Sequence, residues 1–407
     1  MTDAATTARG RGGASFVDGV TARHLVGRPI EAYSNGVTVA HQHGGTTTWL
    51  VSGYQLAREF LRDNRFSRAE ASQAGPFRGP ALRMSITEMD RPLHTRIRTL
   101  IGGAFAARHV EQLRPRIERL AETVLRQAVA RGPGGDLVAD VCAPLTFAAH
   151  CEVLGVPPAR REAIRRTSLA RLGQPGAACP EQTYRAELAL HEEVTDLLAD
   201  PALPAGLLAD LVRAHREDGL LSPAELTGLA SSLFFDGHAL AAAQIATTVL
   251  CLLRRPGLFA AVRENTALLG PVIEEALRYS PSVTLSMTRI AGVDLTFGGA
   301  AIRAGDEVVA AIPIANRDEA VFDRADVFLP DRGRTRHLAF GHGTHHCIGA
   351  HLARLEINAA LRALVQHTPR MRLAVPEEEL DWFAAPNMRS LVAVPVRWHE
   401  PEPPPGS

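Results

Sequence analysis

The spacing of apolar residues predicts a mainly α-helical chain with two short β-rich regions. Helical periodicity dominates from Pro92 to Arg278, and a final helix begins after Cys347. Alternating β-branched and polar residues predict a hairpin from Val37 to Val51, followed directly by a helix. Short β-branched stretches between glycine turns predict a second β-rich region from Thr288 to Ile314.

One predicted helix is distinguished by its start and its length. Ser222 is a suitable N-cap, Pro223 occupies the first helical position, and Glu225 completes a capping box. The apolar pattern then continues for about thirty residues, to Arg254, which corresponds to a helix of about 45 Å. It is interrupted by three polar residues: Asp236, His238 and Gln244. These interruptions favour a buried central helix over a membrane span.

Composition excludes several classes of protein. The 407 residues include 44 acidic and 44 basic side chains, all of the latter arginine, so no net field favours a nucleic acid partner. The five cysteines are odd in number, widely spaced and free of a C-x-x-C pair, which indicates a reducing compartment. The N-terminal stretch lacks the apolar segment of a signal peptide. We therefore expect a cytoplasmic protein without a membrane partner.

No repeat and no long linker divides the chain, so one domain is expected from residue 15 to residue 400. Residues 1 to 14 are predicted to be a disordered leader. Residues 401 to 407 form a Pro-rich tail.

The stretch HLAFGHGTHHCIGAHLARLE, residues 337 to 356, concentrates the candidate chemistry of the chain. Zinc is one alternative, because Cys347 and the surrounding histidines are competent ligands, although adjacent residues rarely face one ion. Haem explains the glycines better, since small residues let the backbone approach a flat macrocycle. Cys347 also lies just before a helix start, where unpaired amides and the helix dipole stabilise a thiolate.

This loop resembles the cytochrome P450 signature F-G-x-G-x-H-x-C-x-G. The matching positions are Phe340, Gly341, Gly343, His345, Cys347 and Gly349. The segment EEALR supplies the E-x-x-R of the family through Glu275 and Arg278, and Arg332 would complete a buried ion network with a structural role. The similarity extends over most of the chain, from residue 35 to residue 397.

The resemblance implies a triangular, mainly helical cytochrome P450 fold in a single domain, with a b-type haem between the long central helix and the cysteine loop. Cys347 would be the axial iron ligand, and Phe340 and Gly349 would contribute to the haem site. Four basic side chains would bind the propionates: His94, Arg98, Arg289 and His345. Electrons would come from NAD(P)H through ferredoxin and ferredoxin reductase, because no reductase domain fits in this length.

The central helix departs from the family pattern A-G-x-D/E-T, in which an acid and a threonine deliver protons. This chain has Ala239 and Leu240 at those two positions. Neither side chain donates a proton, so oxygen activation would be expected to leak peroxide. Asp236 lies on the same helical face and is the candidate catalytic residue, whereas His238 is expected to face the helix packing. Asp236 would replace the missing relay, bind a cationic or hydroxyl-bearing substrate, or turn to solvent or an internal cap.

The resemblance places substrate recognition in four mainly apolar segments: residues 76 to 89, 236 to 240 and 283 to 287, and the stretch FAAPNM. The candidate pocket residues are Met84, Met89, Gly237, Leu240, Leu285 and Met287. We expect a haem-thiolate monooxygenase that acts on a medium-sized, mainly apolar natural-product intermediate. The alternatives are oxidative coupling, dehydrogenation or rearrangement by the same haem, for example of an aromatic or cyclodipeptide substrate, and a non-catalytic haem-containing ligand-binding protein.

Overall fold

The computed structural model describes residues 36–43, 45–73, 84–172, 180–333, 335–385 and 387–399. The predicted leader, the Pro-rich tail and most of the first recognition segment lie outside these residues. The helices are α1 Tyr54–Arg62, α2 Arg68–Gln73, α3 Leu93–Gly102, α4 Ala107–Ala130, α5 Ala143–Leu154, α6 Pro158–Leu172, α7 Pro180–Ala199, α8 Leu207–Arg216, α9 Pro223–Asp236, α10 Ala239–Leu253, α11 Pro256–Glu264, α12 Leu269–Tyr279, α13 Ile312–Ala315 and α14 Ala350–His367.

Within these ranges the strands are short and belong to four small sheets. They are β1 Gly36–His43, β2 Thr46–Ser52, β3 Phe66–Ser67, β4 Gly134–Asp136, β5 Arg289–Ala291, β6 Leu295–Phe297, β7 Ala300–Ile302, β8 Glu307–Ala310, β9 Arg372–Leu373, β10 Trp382–Ala385, β11 Met388–Leu391 and β12 Pro395–Arg397. The largest sheet has the order β1-β2-β8-β5-β3, and the others are β10-β11, β4-β12-β9 and β6-β7.

The strands confirm both predicted β-rich regions and add a third. Val37 pairs with Val51 in the antiparallel β1–β2 hairpin, as the alternation predicted. The second region contains β5 to β8, but its end is the short helix α13, because Pro313 favours the start of a helix. Strands β9 to β12, which follow α14, were not predicted, because strands of two to four residues are too short to show a clear alternation.

The main hydrophobic core lies among the helices, and a second core lies against the five-stranded sheet. In the main core, α14 packs against α4 and α10. The stretch Pro223–Leu253 is long and apolar enough to cross a membrane by composition alone, and 72% of its most apolar window is buried inside the protein. A window buried to this extent is typical of a core helix, and the sequence predicted a buried central position for this stretch.

The predicted single central helix is wrong, because the structure divides it into α9 and α10. The capping box at Ser222 and Glu225 is confirmed at the start of α9. The helix then breaks at Gly237 and His238, so that Asp236 becomes the last residue of α9. Helical periodicity continues across the break, and this is why the sequence alone did not show it.

Side chains from α5 and α6 satisfy the backbone groups that the break sets free. In a continuous helix, the carbonyl groups of Leu233 and Phe234 would accept from residues four positions later. Here His150 Nε2 donates to the Leu233 carbonyl over 2.9 Å, and Ser168 Oγ donates to the Phe234 carbonyl over 3.4 Å. Ser168 Oγ is also 3.0 Å from His238 Nε2, so the His238 ring faces α6 as the sequence predicted.

A buried ion network connects α12 to the irregular segment that follows α13. Arg278 donates to both carboxylate oxygens of Glu275 over 2.7 and 2.8 Å, and neither side chain is reached by solvent to more than 2%. The remaining donors of Arg278 bind the carbonyl groups of Asn316, Ala325 and Val327. Arg332 also approaches Glu275, at 3.4 Å, which confirms the predicted network.

Replacement of Gly237 by alanine is expected to destabilise the protein, because the added Cβ would overlap the buried imidazole ring of His150. Overpacking of this kind costs about 1–3 kcal/mol of unfolding free energy, measured by urea denaturation. Gly270→Ala is the matched control, since nothing surrounds that position in α12 and alanine favours a helix. Equal stability of both variants would contradict this account of the break.

The two histidines at the break predict a loss of stability at acidic pH. Burial lowers the pKa of His150 from 6.5 to about 4 and that of His238 from 6.5 to about 3. The unfolded chain takes up protons below 6.5 while the native state stays neutral, so stability is complete above 6.5 and falls as the pH is lowered. We expect the advantage of wild type over His238→Gln to shrink by about 2–3 kcal/mol between about pH 7 and pH 4.5. Urea denaturation at each pH measures it, and parallel curves would contradict it.

Candidate functional site

Cys347 ends a loop whose path requires glycine. Its backbone N–H donates to the Phe340 carbonyl over 2.8 Å, and Gly349 caps α14 two residues later. Gly343 has a φ of +76°, and an added Cβ there would lie 2.7 Å from the Leu61 carbonyl oxygen. A side chain is therefore excluded at Gly343 by both backbone conformation and space.

The thiol of Cys347 is accessible but set back in a cleft, in contrast to the buried thiols of Cys142, Cys151 and Cys251. Burial by the surrounding protein raises the pKa of Cys347 above its usual value of 9.0. The Gly349 N–H and the guanidinium groups of Arg98 and Arg354 act in the opposite direction and favour the thiolate. Amide and cation partners of this kind are those of a cysteine that serves as a metal ligand.

The four basic side chains predicted to bind propionates converge beside the cysteine loop. His94 and Arg98 lie on α3, Arg289 on β5, and His345 in the 3-10 turn Gly343–His345. The His94 and His345 rings are 4.2 Å apart. Burial, followed by the charges of His94 and Arg289, lowers the pKa of His345 to about 3. Burial also lowers the pKa of Arg289 to about 10.

This cluster fits an anionic ligand. Nε2 of His94 is buried and has no hydrogen-bond partner. Arg289 donates to the Leu61 carbonyl over 3.0 Å, and Arg98 donates to the His346 carbonyl over 2.6 Å. These hydrogen bonds are to neutral carbonyl groups and not to carboxylates. Buried charges are normally paired, and two carboxylates placed here would pair these. The cluster and the accessible thiol together match the groups of haem, two propionates and an iron.

Asp236 lies within electrostatic reach of Cys347. Asp236 is exposed. Burial of the Cys347 thiol is the largest cause that raises its pKa, and the negative charge of Asp236 raises that pKa further. Ser85 Oγ donates to Asp236 Oδ2 over 2.7 Å. Ala239 and Leu240 follow at the start of α10 and are partly buried. The break between α9 and α10 thus presents a carboxylate where the family pattern has a small residue.

The structure divides the candidate pocket residues into three groups. Met84, Gly237 and Leu240 are partly buried and adjoin the Asp236–Ser85 contact along the chain. Met89 and Leu285 are 2% and 1% exposed and pack in hydrophobic cores. Met287 is 39% exposed, and its sulfur is 3.1 Å from Asn387 Nδ2. The haem-site candidate Phe340 is partly buried, with the Arg354 guanidinium 4.5 Å from its ring centroid.

Sequence reasoning missed the polar partners at the helix break and at Asp236. Ser85 caps the 3-10 turn Ile86–Glu88, and its position in the S-x-x-E pattern was an available signal for a cap. No pattern marked His150, a single histidine in an apolar helix. The described ranges contain no group of three or more His, Cys, Asp or Glu side chains that could hold a metal ion.

Comparisons with known proteins agree with this geometry. The family model Cytochrome P450 matches residues 191–377. Nocardicin C N-oxygenase of Nocardia uniformis subsp. tsuyamanensis is 38% identical over 87% of this chain and 90% of its own length. Mycinamicin IV hydroxylase/epoxidase of Micromonospora griseorubida is 37% identical over 87% of this chain and 90% of its own length.

A solved structure described as the cytochrome P450 enzyme CxnD for C-S bond formation in chuangxinmycin biosynthesis is also similar. Its TM-score is 0.79 at 32% identity, and the match covers 88% of this chain and 89% of that chain. The mainly helical fold with small sheets is therefore a cytochrome P450 fold, and the named relatives are oxygenases or hydroxylases. The chain belongs to the cytochrome P450 family of monooxygenases.

Proposed function

We propose that this chain is a haem-thiolate monooxygenase in which Cys347 ligates the iron of a b-type haem. The observation that carries the proposal is that an accessible thiol and a buried cluster of basic side chains meet at one cleft. Arg98 connects the two, because it donates to the His346 carbonyl and lies within electrostatic reach of Cys347. Phe340 and Gly349 adjoin the thiol and belong to the same site.

When bound, haem supplies an iron that activates dioxygen, and its thiolate ligand favours O–O cleavage. The protein's part begins with the thiolate, which the Gly349 N–H and the nearby guanidinium groups stabilise against burial. Arg98 and Arg289 would neutralise the propionates, and His94 and His345 would donate hydrogen bonds to them, for which the unpaired Nε2 of His94 is available.

Asp236 takes part in proton delivery. Ala239 and Leu240 have no proton to give, whereas a carboxyl group can accept and release one. The hydrogen bond from Ser85 supports this role, because it orients the carboxylate toward the segment from Met84 to Met89. Peroxide release in an Asp236→Ala variant distinguishes this role from substrate binding.

The substrate is a medium-sized, mainly apolar intermediate of secondary metabolism with at least one polar group. The relatives named for nocardicin C and mycinamicin IV support this class. Met84, Gly237 and Leu240 are partly buried and offer little polarity, which suits a mainly apolar substrate. Electrons arrive from NAD(P)H through ferredoxin and ferredoxin reductase, and the enzyme acts in the cytoplasm.

Oxidative coupling without oxygen insertion is the second candidate. It is favoured by Ala239 and Leu240, which replace the usual proton-delivering pair. The similarity to an enzyme named for C-S bond formation also favours it. Turnover under labelled dioxygen separates the two, because monooxygenation places one labelled oxygen atom in the product and coupling places none.

Carbon monoxide binding to the reduced protein tests the ligand assignment. Wild type is expected to show the red-shifted Soret band of thiolate-ligated haem, and Cys347→Ser is expected to lose it, because serine is a poor donor to iron. Cys251→Ser is the matched control, since that cysteine is buried away from the cleft. If wild type expressed with ample haem lacks the band, the assignment fails.

Removal of the Arg289 charge tests the propionate assignment. Arg289→Leu is expected to lose haem to apomyoglobin about ten- to a hundredfold faster than wild type, because one charge-assisted hydrogen bond is lost. Arg289→Lys keeps the charge and should retain most of the affinity. Arg303→Leu, at an exposed position, controls for a general effect of arginine loss. Unchanged haem transfer in Arg289→Leu would refute the assignment.

A further inference from the structure

Two hydroxyl groups form a hydrogen-bonded chain that leads to Asp236 from outside the central helices. Ser85 Oγ is 2.7 Å from Asp236 Oδ2, and Thr87 Oγ1 is 2.7 Å from Ser85 Oγ. Ser85 is 151 positions before Asp236, so the fold and not the local sequence creates this contact. No hydroxyl of α9 or α10 is needed to reach the carboxylate.

Each hydroxyl group has one proton, and this determines which residue donates in each hydrogen bond of the chain. An ionised carboxylate only accepts, so the single hydroxyl proton of Ser85 is directed to Asp236. Between Ser85 and Thr87, the donor must then be Thr87. Both hydroxyl protons then point toward Asp236, which is the arrangement along which a proton can be passed.

The backbone around the chain holds both hydroxyl groups in place. Ser85 is 8% exposed and caps the turn Ile86–Glu88, and its Oγ accepts from the Thr87 N–H over 3.3 Å. Arg68 Nε donates to the Thr87 carbonyl over 2.8 Å. Thr87 itself is partly exposed. The chain therefore runs through protein from a position that water can reach to the cleft that Cys347 faces.

We propose that Thr87 and Ser85 supply protons to Asp236 and thereby replace the acid–alcohol pair that Ala239 and Leu240 cannot provide; this rests on the function proposed above. The Ser85 proton moves to the ionised Asp236 Oδ2, the Thr87 proton moves to Ser85 Oγ, and a hydronium ion of the solvent returns a proton to Thr87. The carboxyl group then releases one proton into the cleft and is ionised again. Only O–H bonds are exchanged and no electrons move. Ser85 and Thr87 act through Asp236 and are positioning residues.

Matched hydroxyl variants of the holoenzyme test this chain. The measurement is the share of consumed dioxygen released as hydrogen peroxide, with NADPH, a plant-type ferredoxin and its reductase, and no added substrate. Ser85→Ala and Thr87→Val should raise this share at least about twofold, toward that of Asp236→Asn. Ser85→Thr and Thr87→Ser keep the hydroxyl groups and should resemble wild type. Equal peroxide shares in Thr87→Val and Thr87→Ser would overturn the proposal.

The infrared C–O stretch of carbon monoxide bound to the ferrous enzyme provides a readout that does not depend on turnover. Ser85→Ala should shift this band, because the carboxylate loses the donor that orients it, and Ser85→Thr should restore it. Thr87→Val should leave the band in place, since Thr87 does not contact Asp236. An unshifted band in Ser85→Ala would overturn the proposal, whereas absence of a thiolate-type carbon monoxide complex in wild type would overturn the proposed function itself.

Discussion

The buried pair of Glu275 and Arg278 is the constraint that holds the irregular segment after α13, and Asn316 in that segment accepts the Leu338 N–H shortly before the cysteine loop. All five N–H donors of Arg278 are directed to the Glu275 carboxylate or to carbonyl groups of the segment from Asn316 to Val327. Glu275 in turn accepts the Leu329 N–H over 2.7 Å. Loss of one partner would leave a buried charge unpaired, at a cost of about 3–5 kcal/mol. An irregular segment is thereby fixed to α12 as firmly as a secondary-structure element.

Charge is distributed unequally across the cleft. The side that carries Cys347 collects Arg98, Arg289 and the rings of His94 and His345, and burial lowers the pKa of each, while the Asp90 carboxylate opposes the shift at His94, Arg289 and His345. Asp236, to which Ser85 donates, adds a negative charge that also acts on Cys347. A cofactor with an anionic edge would be oriented by the two guanidinium groups.

The sequence predicted those parts of the site that need fixed residue types at fixed spacing. The cysteine loop and the Glu275–Arg278 pair are of this kind, because glycine conformations and a single helical turn impose their own patterns. The helix break could not be predicted, since it depends on His150 and Ser168, which are 83 and 66 positions from the carbonyl groups they bind. The environments of Met89 and Leu285 were equally hidden, because an apolar residue gives no sign of whether it faces a pocket or a core.

The way in which the break between α9 and α10 is held has an evolutionary consequence. The hydrogen bonds at the break join backbone carbonyl groups of α9 to side chains of α5 and α6, and none of them uses the side chain of Ala239 or Leu240. The shape of the helix pair and the identity of its proton donors are thus independent. Substitutions at these two positions leave the hydrogen bonds of the break intact. Changes confined to a single helical turn can therefore alter the reaction type while the fold around them is kept.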